Sequence, residues 1–494
     1  MFTYVELFTA FAALSIAVYL YVTKYVFNHF KRLGIPDINP TFPFGDGFPI
    51  ITASKTLSLI HKDFYDFLKA SGARFGGFFV FSQPNLLILD PDVVKSILIK
   101  DFGKFSDRGV FINEKDDPLS AHMFNKEGEK WKEIRTKLSP TFTSGKMKGM
   151  FDLVVKCSEP MLKYVDGFVG RKEVDVKKMF SLYTIDAIGS CAFGLDCNSF
   201  GENDSFYQQG LRVFKPPLSV FFKSVFFTNF PSLARKLRIR IIEESVEKFY
   251  FSIFNDTLTY RKQNEFTRND FMQLLMGLMD KGVITHKEAV SEAFLFLLAG
   301  FETSATTSTF VMLELAQHKD IQDRLREEIK DMFEKNDGQL TYEGIQGMKY
   351  LGQVVDETLR KYPPLGFLNR ITVANYQIPG TKINVEKGTR IVIPAYALQW
   401  DPEYFPNPDK FDPERFNETN KKNIRSCTYL PFGDGPRNCI GMRFGLMQTK
   451  IGLVQLLRNH EFTLSAKTKT PTKFLAKQVL LEVEGGVWVD VIRI

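Results

Sequence analysis

The segment from Thr285 to about Gln317 constrains the fold of this chain more than any other. It opens on T-H-K-E, in which Thr285 can cap the Glu288 amide while Glu288 reaches back to the Thr285 amide. It continues through FLFLLAGFETSATTSTFVM, which is apolar on nearly every side of a helix. A helix of ~32 residues approaches about 50 Å, and polar flanks argue against a membrane crossing, so it must run through the middle of a large body. The 494 residues, 44% of them hydrophobic, supply that body. Short apolar runs between about residues 44 and 89, FGGFFVF and NLLILD among them, read as strands, and helical periodicity dominates beyond them. The expected class is mainly α with a smaller β-rich lobe. A balance of 64 Lys+Arg against 57 Asp+Glu, net +7, is mild for this length and gives no reason to expect a nucleic-acid partner.

Inside the central helix, Ala299, Gly300, Glu302, Thr303, Thr306 and Thr307 include poor choices for a buried helix. One reading is local bending, with threonines bonded to carbonyls one turn back. The other is a loosened turn in which a buried acid, Glu302, and an alcohol, Thr303, pass protons to an oxygen ligand.

The amino terminus carries a second constraint. Thr3 to Val22 is an apolar run interrupted only by Glu6, and its ~20 residues match the hydrocarbon thickness of a bilayer. Lys24, Lys31 and Arg32 follow it and no basic residue precedes it, so the rest of the chain is expected on the cytosolic side of an uncleaved anchor. Pro36, Pro40, Pro43 and Pro49 then alternate with glycines. The chain divides into an anchor at 1–24, a basic, Pro/Gly-rich hinge at 25–49, and one body at 50–494. The 49 Phe residues imply a large apolar interior. The aromatic stretch 214–231 reads equally as a loop dipping into the membrane or as core.

Cys157, Cys191, Cys197, Cys427 and Cys439 form an odd set without metal-site spacing, as free thiols in a reducing compartment would. Cys439 differs from the others. Tyr429 to Gly441, YLPFGDGPRNCIG, places it in a glycine-rich loop that runs into the helical pattern MRFGLMQTKIGLVQLL. Backbone amides and a helix amino terminus favour thiolate there. One thiolate without companion ligands suits the axial position of a haem iron.

FGDGPRNCIG at Phe432 to Gly441 resembles the cysteine-ligand signature of the cytochrome P450 family. Three more motifs resemble that family in its order: A-G-F-E-T at Ala299–Thr303, E-T-L-R at Glu357–Arg360 and P-E-R-F at Pro413–Phe416. The resemblance implies that family's fold, with haem b between the central helix and the Cys439 loop and Phe432 beside it. It implies a monooxygenase with Glu302 and Thr303 guiding protons next to Gly300, and a buried triad of Glu357, Arg360 and Arg415. Trp131 and Arg135, four apart in W-K-E-I-R, can present an indole N–H and a guanidinium together to haem propionates, and Arg437 lies two residues before the ligand. Resemblance to microsomal members adds Arg108, in F-S-D-R, and Arg370, in F-L-N-R.

No flavin or nicotinamide fingerprint occurs in the chain, so the resemblance implies electrons from NADPH through the cytochrome P450 reductase, with cytochrome b5 as a further donor, at the endoplasmic reticulum membrane. Lys126, Lys130, Lys132 and Lys137 form a candidate docking face or a solvated basic one. Phe111, Phe294, Leu298, Phe301, Leu365 and Phe367 are the implied substrate contacts. They suggest a lipophilic small molecule without identifying it, and core packing is the alternative for each. LSPTFTSGKMK at Leu138–Lys148 and FLNR at Phe367–Arg370 look like insect microsomal members of family six, which implies detoxification of plant compounds or insecticides. Oxidation of an endogenous hormone, pheromone or fatty acid stays open. So do two rivals, an isomerase or dehydratase that needs no oxygen and a non-catalytic haem or lipid carrier, although Glu302 and Thr303 weigh against both.

Overall fold

The computed structural model describes residues 4–52, 54–170, 173–201, 205–214, 223, 226–227, 229–476 and 478–494. In chain order, helix α1 is Tyr4–Tyr21, and strands β1 (Phe75–Val80) and β2 (Gln83–Ile88) follow. Helices α2 (Gly128–Leu138), α3 (Ser144–Asp166) and α4 (Val176–Ile188) come next, with β3 (Val174–Asp175) leading into α4. The central helix is α5 (His286–Gly300) and α6 (Glu302–Gln317), then α7 (Lys349–Lys361), β4 (Leu368–Ile371) and β5 (Arg390–Ile393). Helix α8 (Met442–Asn459), β6 (His460–Leu464) and β7 (Trp488–Arg493) complete this set.

The helix starts where its capping box sits. Thr285 N donates to Glu288 Oε2 at 3.0 Å and Glu288 N donates to Thr285 Oγ1 at 3.2 Å, satisfying two amides that the first turn leaves free. It breaks once, at Phe301 (φ −75°, ψ −76°), between the two halves. Gly300 lies at that break because α4 presses on it: a Cβ there would stand 2.6 Å from Ile188 Cδ1. Helix α6 then packs against α4, α7, α8 and β6, so nearly every residue from Ser304 to Leu315 is buried. The all-round apolar pattern thus marks the axis of the main core.

The β-rich lobe is a four-stranded sheet in the order β1-β2-β5-β4, with β2 and β5 parallel and the other pairs antiparallel. A second sheet, β3-β7-β6, is antiparallel. The four-stranded sheet has its own apolar cluster, to which Phe27, Phe30 and Ile35 belong. The proline-rich stretch is therefore docked. Ile38 N donates to Gly77 O (3.1 Å), Gly77 N to Pro36 O (2.7 Å) and Asp46 N to Phe79 O (2.7 Å), which binds residues 36–46 to β1.

Helix α1 has no buried residue, and the apolar helical run extends over Tyr4–Arg32. The central helix passes the same length and hydropathy test but is mostly enclosed by protein. Most of the aromatic stretch 214–231 lies outside the described residues.

Candidate functional site

Cys439 stands three residues before the start of α8 and donates its backbone N–H to Phe432 O at 2.8 Å, which closes the loop on itself. Gly435 has φ 70°, and a Cβ there would lie 1.9 Å from Leu98 O, so the loop fits only with glycine at its tip. Arg135 of α2 holds the other side. It donates to Asn438 O (3.0 Å) and Asn438 Oδ1 (2.8 Å), gripping the residue that precedes the cysteine. Cys439 is accessible on one side although dense protein surrounds the rest of it, and burial pushes its thiol up. The Gly441 amide, Arg135 and Arg108 pull the other way without overcoming that burial. The sequence led us to expect the loop alone to favour thiolate. In the protein alone the thiol wins, and a metal cation at the sulfur would reverse the balance.

Arg108, Arg135, Arg370 and Arg437 converge near this cysteine. Arg437 is buried, donates to Lys126 O (2.6 Å) and Phe124 O (3.3 Å), and lies over the Trp131 ring at 4.2 Å. Arg108 donates to Arg437 O (3.2 Å) and lies over the Phe124 ring at 4.0 Å. Arg370, on β4, is also buried. Burial and mutual repulsion pull Arg437 down to about 9 and hold Arg108 well below its ordinary range, and burial alone lowers Arg370 to about 10. Guanidiniums stay charged even so, and such depression measures an unmet need for anions. The nearest acid in ion-pair range of Arg437 is Asp107, at 3.8 Å, and Nε of Arg108, Arg370 and Arg437 lack any partner. Clustered cations with orphaned donors beside a lone cysteine suit one ligand that carries two carboxylates and a thiophilic metal. Haem meets that description.

On the central helix, Ala299 is exposed and Leu298, Gly300 and Thr303 are half-buried, while Ala293–Leu297 and Ser304–Leu315 are enclosed. Along its enclosed length the helix is thus uncovered only at Leu298–Gly300 and Thr303 among the described residues. The α8 end is near, since a Cβ on Gly445 would lie 3.7 Å from Ser304 Oγ. Thr303 Oγ1 donates to Ala299 O, Thr307 Oγ1 to Thr303 O (2.9 Å) and Thr309 Oγ1 to Ala305 O (2.7 Å), so the threonines bond one turn back. Glu302 faces another way. Its Oε1 is 2.6 Å from Lys177 Nζ, and Lys177 also donates to Thr306 Oγ1 at 2.9 Å. Glu302, Thr306 and Thr309 line a cavity of about 370 Å³ with Ser181, Tyr207 and Trp488. Lys177 as the partner of the acid was not visible in the sequence.

Behind the loop, Arg360 Nε and Nη2 each donate to Glu357 at 2.8 Å, with both side chains fully buried. Arg415 approaches more loosely, its Nε 3.4 Å from Glu357 Oε1, and donates instead to Asn407 O at 2.8 Å. Gln399 was also missed. Its Nε2 donates to Leu359 O and Arg360 O while its Oε1 accepts from Leu430 N (2.8 Å), tying α7 to the head of the cysteine loop.

The candidate substrate residues are spread over several clusters. Phe294, packed on Tyr250, and Phe301, between Tyr207 and Phe214, are buried in the main core. Phe111 stacks on Phe227 at 4.7 Å, and Phe367 meets His61 edge-on at 4.9 Å. Leu298 and Leu365 are half-buried. Of the four lysines, Lys130 and Lys132 stand at the surface. Lys126 is buried against Glu288 (2.8 Å), and Lys137 is held by Glu133 and Val283 O. Lys126 therefore cannot belong to a docking face, because a neighbouring acid has drawn it inside.

The family model for cytochrome P450 matches residues 43–488. The chain is 41% identical to cytochrome P450 6a2 of Drosophila melanogaster, over 99% of this chain and 100% of that one. It is 42% identical to the probable cytochrome P450 6a23 of the same organism, over 97% of each. It is 43% identical to the probable cytochrome P450 6a13, over 84% of each.

Proposed function

The chain belongs to the cytochrome P450 family and is a haem-iron monooxygenase, and from that premise we propose a microsomal enzyme that inserts one atom of O2 into lipophilic small molecules. The group at the centre is haem b, which supplies oxygen activation when bound. Cys439 Sγ would ligate its iron, and Arg108, Arg370 and Arg437 would neutralise its propionates, with Trp131, Arg135 and Phe432 supporting them. The observation that carries this reading is the unbalanced arginine cluster next to the accessible Cys439.

Thr303 Oγ1 holds, and Glu302 Oε1 relays, the protons that oxygen chemistry consumes. For Thr303 this requires releasing its bond to Ala299 O, and for Glu302 exchange through Lys177 and the adjoining cavity. Of the six apolar candidates, the half-buried Leu298, Leu365 and Phe367 are assigned to apolar substrates, whereas Phe111, Phe294 and Phe301 are enclosed and serve as packing that keeps water out. Residues 1–24 anchor the chain in the endoplasmic reticulum membrane, 25–49 join anchor to body, and 50–494 form the catalytic domain on the cytosolic side. Electrons come from NADPH through the cytochrome P450 reductase, with cytochrome b5 as a second donor. The resemblance of Leu138–Lys148 and Phe367–Arg370 to insect members of family six favours xenobiotics, plant toxins and insecticides over an endogenous hormone, pheromone or fatty acid as its substrates.

The test is the reduced, carbon-monoxide-bound absorption spectrum of the protein and of Cys439→Ser. The wild type is expected to show the strongly red-shifted band that a thiolate ligand gives, and the variant to lose it. A haem-loaded wild type without that band would overturn the reading. NADPH-dependent oxygen consumption with reductase and an apolar substrate separates a monooxygenase from an isomerase or a carrier.

A further inference from the structure

Glu292 lies ten residues before Glu302 on the central helix, is completely buried, and has no part in the chemistry described so far. Its Oε1 accepts from Met123 N at 2.8 Å, and its Oε2 has no partner. Glu288 and Ser291, which form one helix face with Glu292 at spacings of three and four from Glu288, grip the same segment. Ser291 Oγ donates to Pro118 O at 2.8 Å, and Glu288 Oε1 pairs with Lys126 Nζ at 2.8 Å.

Residues 118–126 are thus fastened to the helix at three points, and this segment has a second set of contacts. Its Phe124 and Lys126 carbonyls accept from the two terminal nitrogens of Arg437, and the Phe124 ring supports Arg108 at 4.0 Å. Glu292 holds the amide next to Phe124, in the middle of the fastened stretch. A buried amide left unpaired would shift toward water or another acceptor, and the carbonyls on either side would move with it.

We propose that Glu292 is a positioning residue for haem binding: through Met123 N it sets the 123–126 backbone whose carbonyls aim Arg437 at the propionates. This rests on the reading that Arg437 holds a propionate. The groups facing Glu292 are Lys126 and Glu288, with His122 next to Met123, and burial pushes the Glu292 carboxyl up to about 8. At neutral pH it is mainly a neutral acid, so an amide of the same shape should replace it.

The experiment measures the rate at which the full-length holoprotein loses haem to an excess of apomyoglobin, for wild type, Glu292→Leu, Glu292→Gln, Arg437→Lys and the double variant Glu292→Leu/Arg437→Lys. Glu292→Leu is expected to release haem roughly tenfold faster, the scale of one lost buried hydrogen bond. Glu292→Gln should stay within about twofold of wild type, because its carbonyl can still accept from Met123 N. If Glu292 acts through Arg437, the double variant should release haem no faster than the faster single one. Wild-type release from Glu292→Leu, no rescue by Gln, or multiplying rates in the double variant would each overturn the proposal. An Arg437→Lys protein that keeps haem as the wild type does would instead sink the propionate reading itself. Should Glu292→Leu fail to fold, Glu292→Asp, which withdraws the acceptor by one methylene, replaces it under the same comparisons.

Discussion

At the scale of single residues, the acid and the alcohol of the central helix are adjacent in sequence but occupied differently. Thr303 spends its proton on a carbonyl one turn back, and Glu302 is tied to Lys177. Thr303→Ala removes a hydroxyl whose resting bond is local, so the fold should survive with a melting temperature within a few degrees of wild type. Coupling should suffer instead: more of the NADPH consumed is expected to end as hydrogen peroxide, measured against product formed. Unchanged coupling would sink the proton role of Thr303. The sequence singled out Glu302 and Thr303 as candidates but not where they point. In a helix that is apolar all round, periodicity assigns no face, so the turn of Glu302 toward α4 and the burial of Phe294 had no signal. Lys126 illustrates the same limit, because a lysine reads as exposed until its partner is known.

At the scale of elements, the capping box, the break near Gly300 and the helix after Cys439 were legible, since each depends on residues within a few positions of one another. The links between elements were not. Gln399, Asn438 and Lys177 act across dozens or hundreds of positions, and nothing local announces them. The Glu357 network shows why such links need coordinates: the sequence pairs Glu357 with Arg360 by spacing and adds Arg415 by resemblance, and the structure ranks the two partners. Arg360 makes a bidentate, fully buried pair, whereas Arg415 is longer and partly exposed. Arg360→Ala should cost about 3–5 kcal/mol, the price of stranding a buried charge. Arg415→Ala should cost about 1 kcal/mol. Chemical denaturation of the holoproteins checks the order, and equal losses would show that Arg415 carries more of the network than its geometry suggests.

At the scale of the whole molecule, several buried titratable groups tie stability to pH. His61, enclosed by the Phe64, Phe78 and Phe367 rings, is lowered to about 4, as is His122. Each stays neutral in the fold but takes up a proton once unfolded below its ordinary value, so their stabilisation is present above about pH 6.5 and is lost as pH falls toward 4. Glu292 has the opposite sign. Its folded value near 8 lies above the ordinary carboxyl range, so its contribution is complete at acid pH and is lost as pH rises through 8. Melting temperatures recorded from pH 4.5 to 9 should fall on both sides of a maximum. His61→Leu should flatten the acid side and Glu292→Gln the alkaline side, and a variant that leaves its own side unchanged would refute that assignment.

Because Phe27 and Phe30 are sunk in the cluster beneath the four-stranded sheet, the end of the amino-terminal helix is part of the body's foundations and not a tether to it. With the helix rooted in a bilayer, the body could not swivel like a buoy on a chain. It would ride at a fixed tilt, like a keeled hull, and present the same flank to whatever is dissolved in the lipid. For anyone cutting the chain to obtain a detergent-free protein, the knife belongs ahead of Phe27. A cut at residue 50 would pull out the keel along with the amino-terminal helix.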